Sequence, residues 1–212
     1  MNIKLTKEQK IKILNSDDLY GIMQRILLRE NKIDRNREHF WVIGLENNNR
    51  ILFIELISKG TVNKTPVEPM EVFSLALQKR AAGIILCHNH PSGELTPSIA
   101  DQDITDRLIQ TGKIVKTPVK DHLIISEKSY LSFSDTQILD LIKKSTKYVP
   151  NYVRIQQIKK EAREIAERRR TVEIAKAMKA AGEPIEKIIA YTGLDNEEIE
   201  KFKVKKTPGK NN

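Results

Sequence analysis

The sequence predicts an α/β sandwich, with helices packed on a mixed β-sheet and a helical C-terminal extension. Three observations predict it. Between about residues 35 and 148, apolar runs of strand length alternate with stretches of helical periodicity. One run, Gly83-Ile84-Ile85-Leu86-Cys87, is continuously apolar, as suits a strand covered on both faces. Beyond Pro150 the composition shifts to dense charge around a narrow apolar stripe. A chain of 212 residues has room for one sizeable core and a small appendage. The expected division is 1–34, helices packing on the core; 35–148, the α/β domain; and 149–212, a charged helical tail.

Taken in order, Thr6 and Gln9 have capping-box spacing ahead of Ile11, Ile13 and Leu14. Ser16 is a second N-cap, before Leu19, Met23, Ile26 and Leu27 at helical spacing. Asn31 to Asn36 reads as a polar joint. His39 to Leu45 and Ile51 to Ile57 are strands joined by the Asn-rich turn 46–50, a hairpin. Pro69 to Ala82 reads as a helix burying Val72, Phe73, Leu75, Ala76 and Leu77. Ser98 caps a helix to about Thr111, with Asp101 and Asp103 near its positive end and Gly112 at its C′ position. His122 to Ser126 is the last strand. In the tail, Ile174, Ala177, Met178 and Ala181 form the stripe of a charged helix ended by Gly182. Ile185, Ile188 and Ile189 lie on a second helix, and Asp195 with Glu198 caps a third, a helix-turn-helix-like unit.

Composition excludes several classes. No run of about 18 apolar residues is present to span a bilayer. Met1 to Lys7 lacks an apolar signal core, so a cytoplasmic protein is expected. The lone Cys87 excludes an internal disulfide and a four-thiolate zinc site. A net charge of +9 suits nucleic acid or another acidic partner without selecting one. The tail contributes 15 Lys and Arg against 10 Asp and Glu from Asn151 onward, so positive charge is densest there.

The chemistry concentrates in His88-Asn89-His90-Pro91-Ser92-Gly93 and Pro97-Ser98-Ile99-Ala100-Asp101. Strand alternation delivers His88 and His90 to one face. Pro91 to Gly93 turn the chain, and Asp101 falls in the first turn of the next helix, where it can face the strand end. Two imidazoles and a carboxylate leave an open position, the pattern of a catalytic zinc site, though the spacing admits other divalent ions. A nearby carboxylate must then move the proton, and Glu38, Glu55 and Glu71 are the upstream candidates. By alternation Cys87 points away from the imidazoles and reads as core, and Asn89 as a structural hydrogen-bonding residue. Phe40 and Trp41 read as core. Ser92 either meets substrate or caps the turn. For Asp121 and His122, a strand-initiating turn with a satisfied histidine is favoured over a helper role at the site. The letters His88-Asn89-His90 are not an HNH nuclease signature, whose histidines lie far apart.

These residues resemble the JAMM (MPN/JAB) metalloprotease domain, whose pattern is His-x-His, seven residues, Ser, two residues, Asp. The string from His88 to Gly93 with Pro97, Ser98 and Asp101 is similar to the bacterial RadC branch. So are the helix entry from Val67 to Ala76, Asp121-His122 followed by Leu123-Ile124-Ile125, and Tyr130-Leu131-Ser132-Phe133. The resemblance covers about residues 15–135. It implies a cytidine-deaminase-like α-β-α sandwich and zinc (Zn2+) held by His88, His90 and Asp101. It implies a catalytic glutamate at the start of the first strand, which Glu38 matches, and Ser98 holding the tetrahedral intermediate. The implied activity is hydrolysis of a peptide or isopeptide bond in a protein or peptide substrate. The family's name refers to DNA repair. Its members usually carry a longer N-terminal region with DNA-binding elements, and the tail instead resembles helical tails of mobile-element proteins. The alternative is a DNA-associated factor, a scaffold or a metal-dependent nuclease. For the tail, residues 151–212, nucleic-acid binding and self-association or protein docking are the expectations. Arg168, Arg169 and Arg170 cannot share one helical face, which weighs against a single groove contact.

Overall fold

A computed structural model describes residues 12–60 and 67–202. In chain order the elements are α1 (Ser16–Arg29), α2 (Lys32–Arg35), β1 (Glu38–Leu45), β2 (Ile51–Gly60), α3 (Pro69–Gln78), β3 (Gly83–Asn89) and α4 (Ile99–Ile114). They continue with β4 (Val119–Ile125), β5 (Tyr130–Ser132), α5 (Ile138–Lys143), α6 (Asn151–Ala180), α7 (Ile185–Thr192) and α8 (Asn196–Glu200). The described chain forms two compact units, divided between Val149 and Pro150.

The first unit is built on a five-stranded sheet of order β2-β1-β3-β4-β5. β1 runs antiparallel to β2 and β3, β3 and β4 are parallel, and β5 returns antiparallel to β4. The sheet is therefore mixed. Alternation sorts its side chains into two cores. Phe40, Val42, Ile84, Leu86 and Ile124 pack with Phe73 of α3 and Leu108 of α4. Trp41, Ile43, Ile85, Cys87, Leu123 and Ile125 pack with Leu19, Met23 and Ile26 of α1 on the other face. The layers are thus α1, sheet, then α3 and α4, and all seven residues of β3 are buried.

Several local expectations are corrected. The cap of α1 is Asn15, not Ser16: Asn15 has the extended backbone a cap needs, and its side chain accepts from the Asp18 N–H at 2.9 Å. Thr6, Gln9 and Ile11 lie outside the described residues. Lys12 bridges to Arg50 and the Ile13 N–H donates to Asn49 O, so this stretch is extended. The joint at 31–36 contains the single turn α2. Helix α3 stops at Gln78, because Arg80 enters the left-handed region and the Ala81 N–H closes on Ala76 O. Leu77 is exposed and Leu75 only partly buried. Helix α4 runs past Gly112 to Ile114. Lys116, not glycine, takes the left-handed position, and the Thr117 N–H returns to Gly112 O at 2.9 Å. Glycine is needed at 112 for close approach: a Cβ there would lie 2.7 Å from the Thr117 carbonyl. The strand β5 and the helix α5 were not anticipated.

The hairpin closes as its Asn-rich turn predicts, with Asn49 left-handed. Opposite Gly44 lies Phe53, whose ring covers the glycine: a Cβ at 44 would meet it at 2.0 Å. Phe53 belongs to the core, so a side chain at 44 must displace it. Gly44→Val is expected to lower stability by about 1–3 kcal/mol, read from the urea midpoint. An unchanged midpoint would mean that the ring moves aside freely.

In the second unit α6, α7 and α8 pack around Ala175, Ile188, Leu194 and Ile199. The stripe of α6 is Val172, Ala175 and Met178. Ile174, Ala177 and Ala181, expected inside, are exposed, as they lie off the face that meets α7. Gly193 is left-handed and Asp195 caps α8 through the Glu198 N–H. Lys179 Nζ donates to the carbonyls of Ile199, Glu200 and Phe202, closing the C-terminal end of α8.

Candidate metal centre

β3 ends where α4 begins, and alternation places His88 on the α4 face, beyond Leu86. Cys87 and Asn89 face α1. Asn89 is used structurally: its Oδ1 accepts from the His39 N–H at 2.7 Å and its Nδ2 donates to Arg37 O at 3.0 Å. Cys87 is fully buried, and burial pushes its thiol well up. After His90 the chain turns through Pro91 and Gly93, the latter left-handed. The Ser92 hydroxyl accepts from the Glu94 N–H at 3.3 Å, which caps the turn.

Ser98 and Asp101 form a reciprocal capping box. The Asp101 N–H donates to Ser98 Oγ at 3.1 Å. The Ser98 N–H and hydroxyl donate to Asp101 Oδ2 at 2.8 and 2.7 Å. The cap that starts the helix therefore also fixes the carboxylate, with Oδ1 turned to His88 Nε2 at 3.2 Å.

Among the described residues, His88, His90 and Asp101 form a group able to hold a metal ion, their ligand atoms within 4.8 Å of one another. The two Nε2 atoms are 2.9 Å apart, and His90 Nε2 is 3.6 Å from Asp101 Oδ2. Tetrahedral zinc with ligands near 2.0–2.1 Å separates neighbouring donors by about 3.3 Å, so the three donors fit three corners of that figure.

In the neutral imidazoles, hydrogen bonding turns a lone pair toward these corners. His90 Nδ1 faces the Glu94 carbonyl at 2.6 Å and must donate to it, which leaves Nε2 a lone pair. For His88 the reasoning passes through three residues. The Thr105 hydroxyl donates to Asp101 O at 2.5 Å, so at 2.7 Å it accepts from His122 Nδ1. His122 Nε2 is then an acceptor for His88 Nδ1 at 2.8 Å, and His88 Nε2 is left bare. Burial holds His122 well below the ordinary histidine range, in keeping with a neutral ring. Two lone pairs facing each other beside a carboxylate repel unless a cation or a proton lies among them.

The electrostatics agree. Burial alone would raise the Asp101 carboxyl, but hydrogen bonds with His88 and His90 hold it well below the carboxylate range. The hydrogen bond to Asp101 raises His90 despite partial burial, with the Glu94 carbonyl and Glu38 contributing. In the metal-free protein His90 therefore keeps a proton to higher pH than an ordinary imidazole, and a metal must displace it. Zinc binding is expected to release a proton and to weaken as pH falls through the raised His90 value. Calorimetric titration in buffers of different ionisation enthalpy measures this, and buffer-independent heats would contradict it.

Glu38 opens β1 opposite Gly60, two residues before Phe40, which pairs with His88. Continued by two residues, that antiparallel register brings Glu38 level with His90, and its charge is felt by that imidazole. Glu55 pairs with Val42, which is itself opposite Leu86, one step away from the histidines. Glu71 is exposed in the first turn of α3.

The favoured reading of Asp121 and His122 divides. Asp121 anchors β4, accepting from the Ser132 hydroxyl and from the N–H groups of His122 and Ser134 at 2.6–2.8 Å. His122 instead hydrogen-bonds His88, a member of the candidate metal group. His122→Ala is expected to weaken zinc binding about 10–100-fold. Chelator competition tests this, and unchanged affinity would remove His122 from the centre.

The profile of the RadC-like JAB domain family matches residues 13–138. A UPF0758 protein of Flavobacterium johnsoniae is 44% identical over 127 residues, 60% of this chain and 53% of its own length. UPF0758 protein YkfG of Escherichia coli is 46% identical over 103 residues, 49% of this chain and 65% of its own length. One from Finegoldia magna is 50% identical over 95 residues, 45% of this chain and 43% of its own length. The chain spans about half the length of the curated relatives it matches. With more than half of its residues inside the family profile, and the His88, His90 and Asp101 group at the end of β3, the chain belongs to the RadC-like JAB domain family.

Proposed function

We propose that the first unit is a JAMM-type zinc hydrolase that cleaves a peptide or isopeptide bond. The observation that carries this is the convergence of His88 Nε2, His90 Nε2 and the Asp101 carboxylate on one point, with the other nitrogen of each imidazole held by a hydrogen bond. Zinc bound there supplies Lewis-acid polarisation of the scissile carbonyl and makes water acidic enough to react near neutral pH. His88, His90 and Asp101 hold the ion. Glu38, at the level of His90, takes a proton from the attacking water and passes it to the leaving amine nitrogen, so that amide and water yield acid and amine. Ser98 faces the oxyanion when its hydroxyl turns from Asp101 Oδ2, which keeps the Ser98 backbone N–H as a donor. Among the described residues no helix is long and apolar enough to cross a membrane. The lone buried thiol of Cys87 accords with the cytoplasmic location we infer.

Incubating the zinc-loaded chain with a peptide library and, separately, with labelled DNA tests the reading. Peptide products that vanish with a chelator support it, whereas DNA cleavage alone supports a nuclease built on the same ligands.

A second reading has its own observation. The exposed basic residues of α6, Arg169 and Arg170 among them, suit a DNA-associated role for the tail. The short helix α8 carries Glu197, Glu198 and Glu200, so any phosphate contact falls to α6 instead. Salt-dependent DNA binding that disappears on deleting 151–212 supports this reading.

A further inference from the structure

We propose that two depressions flanking the metal centre form one cleft for an extended polypeptide, seating an apolar side chain on the Asp101 side and an acidic side chain on the His90 side. This deepens, and rests on, the reading of the centre as an amide hydrolase.

The depression beside Asp101 has a volume of about 200 Å³, enough for a leucine- or phenylalanine-sized side chain, and Phe40, Val67, Ala100, Ile104 and Tyr148 line it. The Phe40 ring also stacks near His88, centroids 6.2 Å apart, so this wall continues to the metal ligands. Its charged groups are already paired. Arg107 Nη2 donates to Glu68 at 3.0 Å, the Tyr148 hydroxyl donates to Asp103 at 2.7 Å, and Lys147 pairs with Asp103. What remains open is mainly apolar surface, which gains from covering an apolar group.

The depression on the other flank is about 340 Å³ and has the opposite character. Arg35, Asn36, His90, Ser92, Lys128 and Ser129 are among its walls. Arg35 Nη1 pairs with Glu127 at 3.1 Å. With Lys128 this flank keeps one positive charge beyond what Glu127 neutralises. That excess positive charge suits an acidic side chain.

The asymmetry selects the class of ligand. A nucleic acid presents phosphates to both flanks, and on the Asp101 side these would meet Asp101 and Asp103 while Arg107 is already occupied. A polypeptide presents different side chains to the two flanks, as the cleft requires.

The test measures binding and cleavage separately. Binding of a fluorescent positional peptide library is measured on the 212-residue, zinc-loaded Glu38→Gln chain, and cleavage of the same library on the unsubstituted chain. Peptides with Leu, Ile or Phe at one position and Asp or Glu across the scissile bond are expected to bind at least about tenfold more tightly than alanine-substituted ones. Ala100→Phe places a ring in the apolar depression from an exposed first-turn position. It should abolish the apolar preference alone, and Arg35→Gln the acidic preference alone, with zinc content unchanged. Selective binding without cleavage leaves the cleft standing and overturns the hydrolase reading. Cleavage with no side-chain preference, or preferences that survive both substitutions, overturns the cleft. So does a labelled oligonucleotide that competes with the peptides and loses binding in Ala100→Phe. The library preference is read without either variant, so a variant that fails to fold leaves the proposal falsifiable.

Discussion

Glu38→Gln is expected to slow amide hydrolysis by about 10²–10⁴-fold while the chain retains its zinc. The substitution keeps the size of the side chain and most of its hydrogen bonding but removes the group that accepts a proton. Register supports assigning the role to Glu38: β1 runs antiparallel to β3, so the residue two before the partner of His88 lies level with His90. Glu38 is not among the ligands, so metal content should not change. The measurement is turnover beside zinc content on the same sample. Full activity in the variant would remove Glu38 from the mechanism, and loss of zinc would make it a ligand or a ligand's support.

Replacing both histidines, His88→Ala with His90→Ala, should abolish stoichiometric zinc binding, because one carboxylate cannot hold the ion alone. The same change should cost stability. His88 is buried, and removing it leaves His122 Nε2 without its donor, an unsatisfied buried group worth about 1–3 kcal/mol. Thermal unfolding of both chains without metal isolates that cost. If His122→Ala is added to the double variant, the further loss should be smaller than in the unsubstituted chain, because the two residues share one hydrogen bond.

How much of this was legible in the sequence follows from the range of each interaction. His88 and His90 share a face through strand alternation, and Ser98 with Asp101 forms a cap over three residues. Both are local, so spacing alone draws them together. The layers were legible for the same reason, since Leu86 and Cys87 alternate between two cores. His122 is 34 residues from His88. Their contact depends on the parallel register of β3 and β4, which the crossover through α4 sets and no short pattern encodes. Asp121-His122 was visible as a pair, and only the fold divides its two roles. Thr105 carries no sequence signal, because threonine on a helix face is ordinary until His122 stands beside it. The misplaced ends share a cause. Gly112 looked like a helix terminus, yet the Thr117 carbonyl needs it for close approach and Lys116 takes the left-handed turn. The strand β5 has three residues, too short for alternation to show.

X-ray absorption at the zinc edge of the purified 212-residue chain tests the central claim most directly. The geometry predicts one zinc per chain, bound by two imidazole nitrogens at about 2.0–2.1 Å and by oxygen, with no sulfur in the shell. A chain without zinc, or a shell containing the Cys87 sulfur, would contradict it.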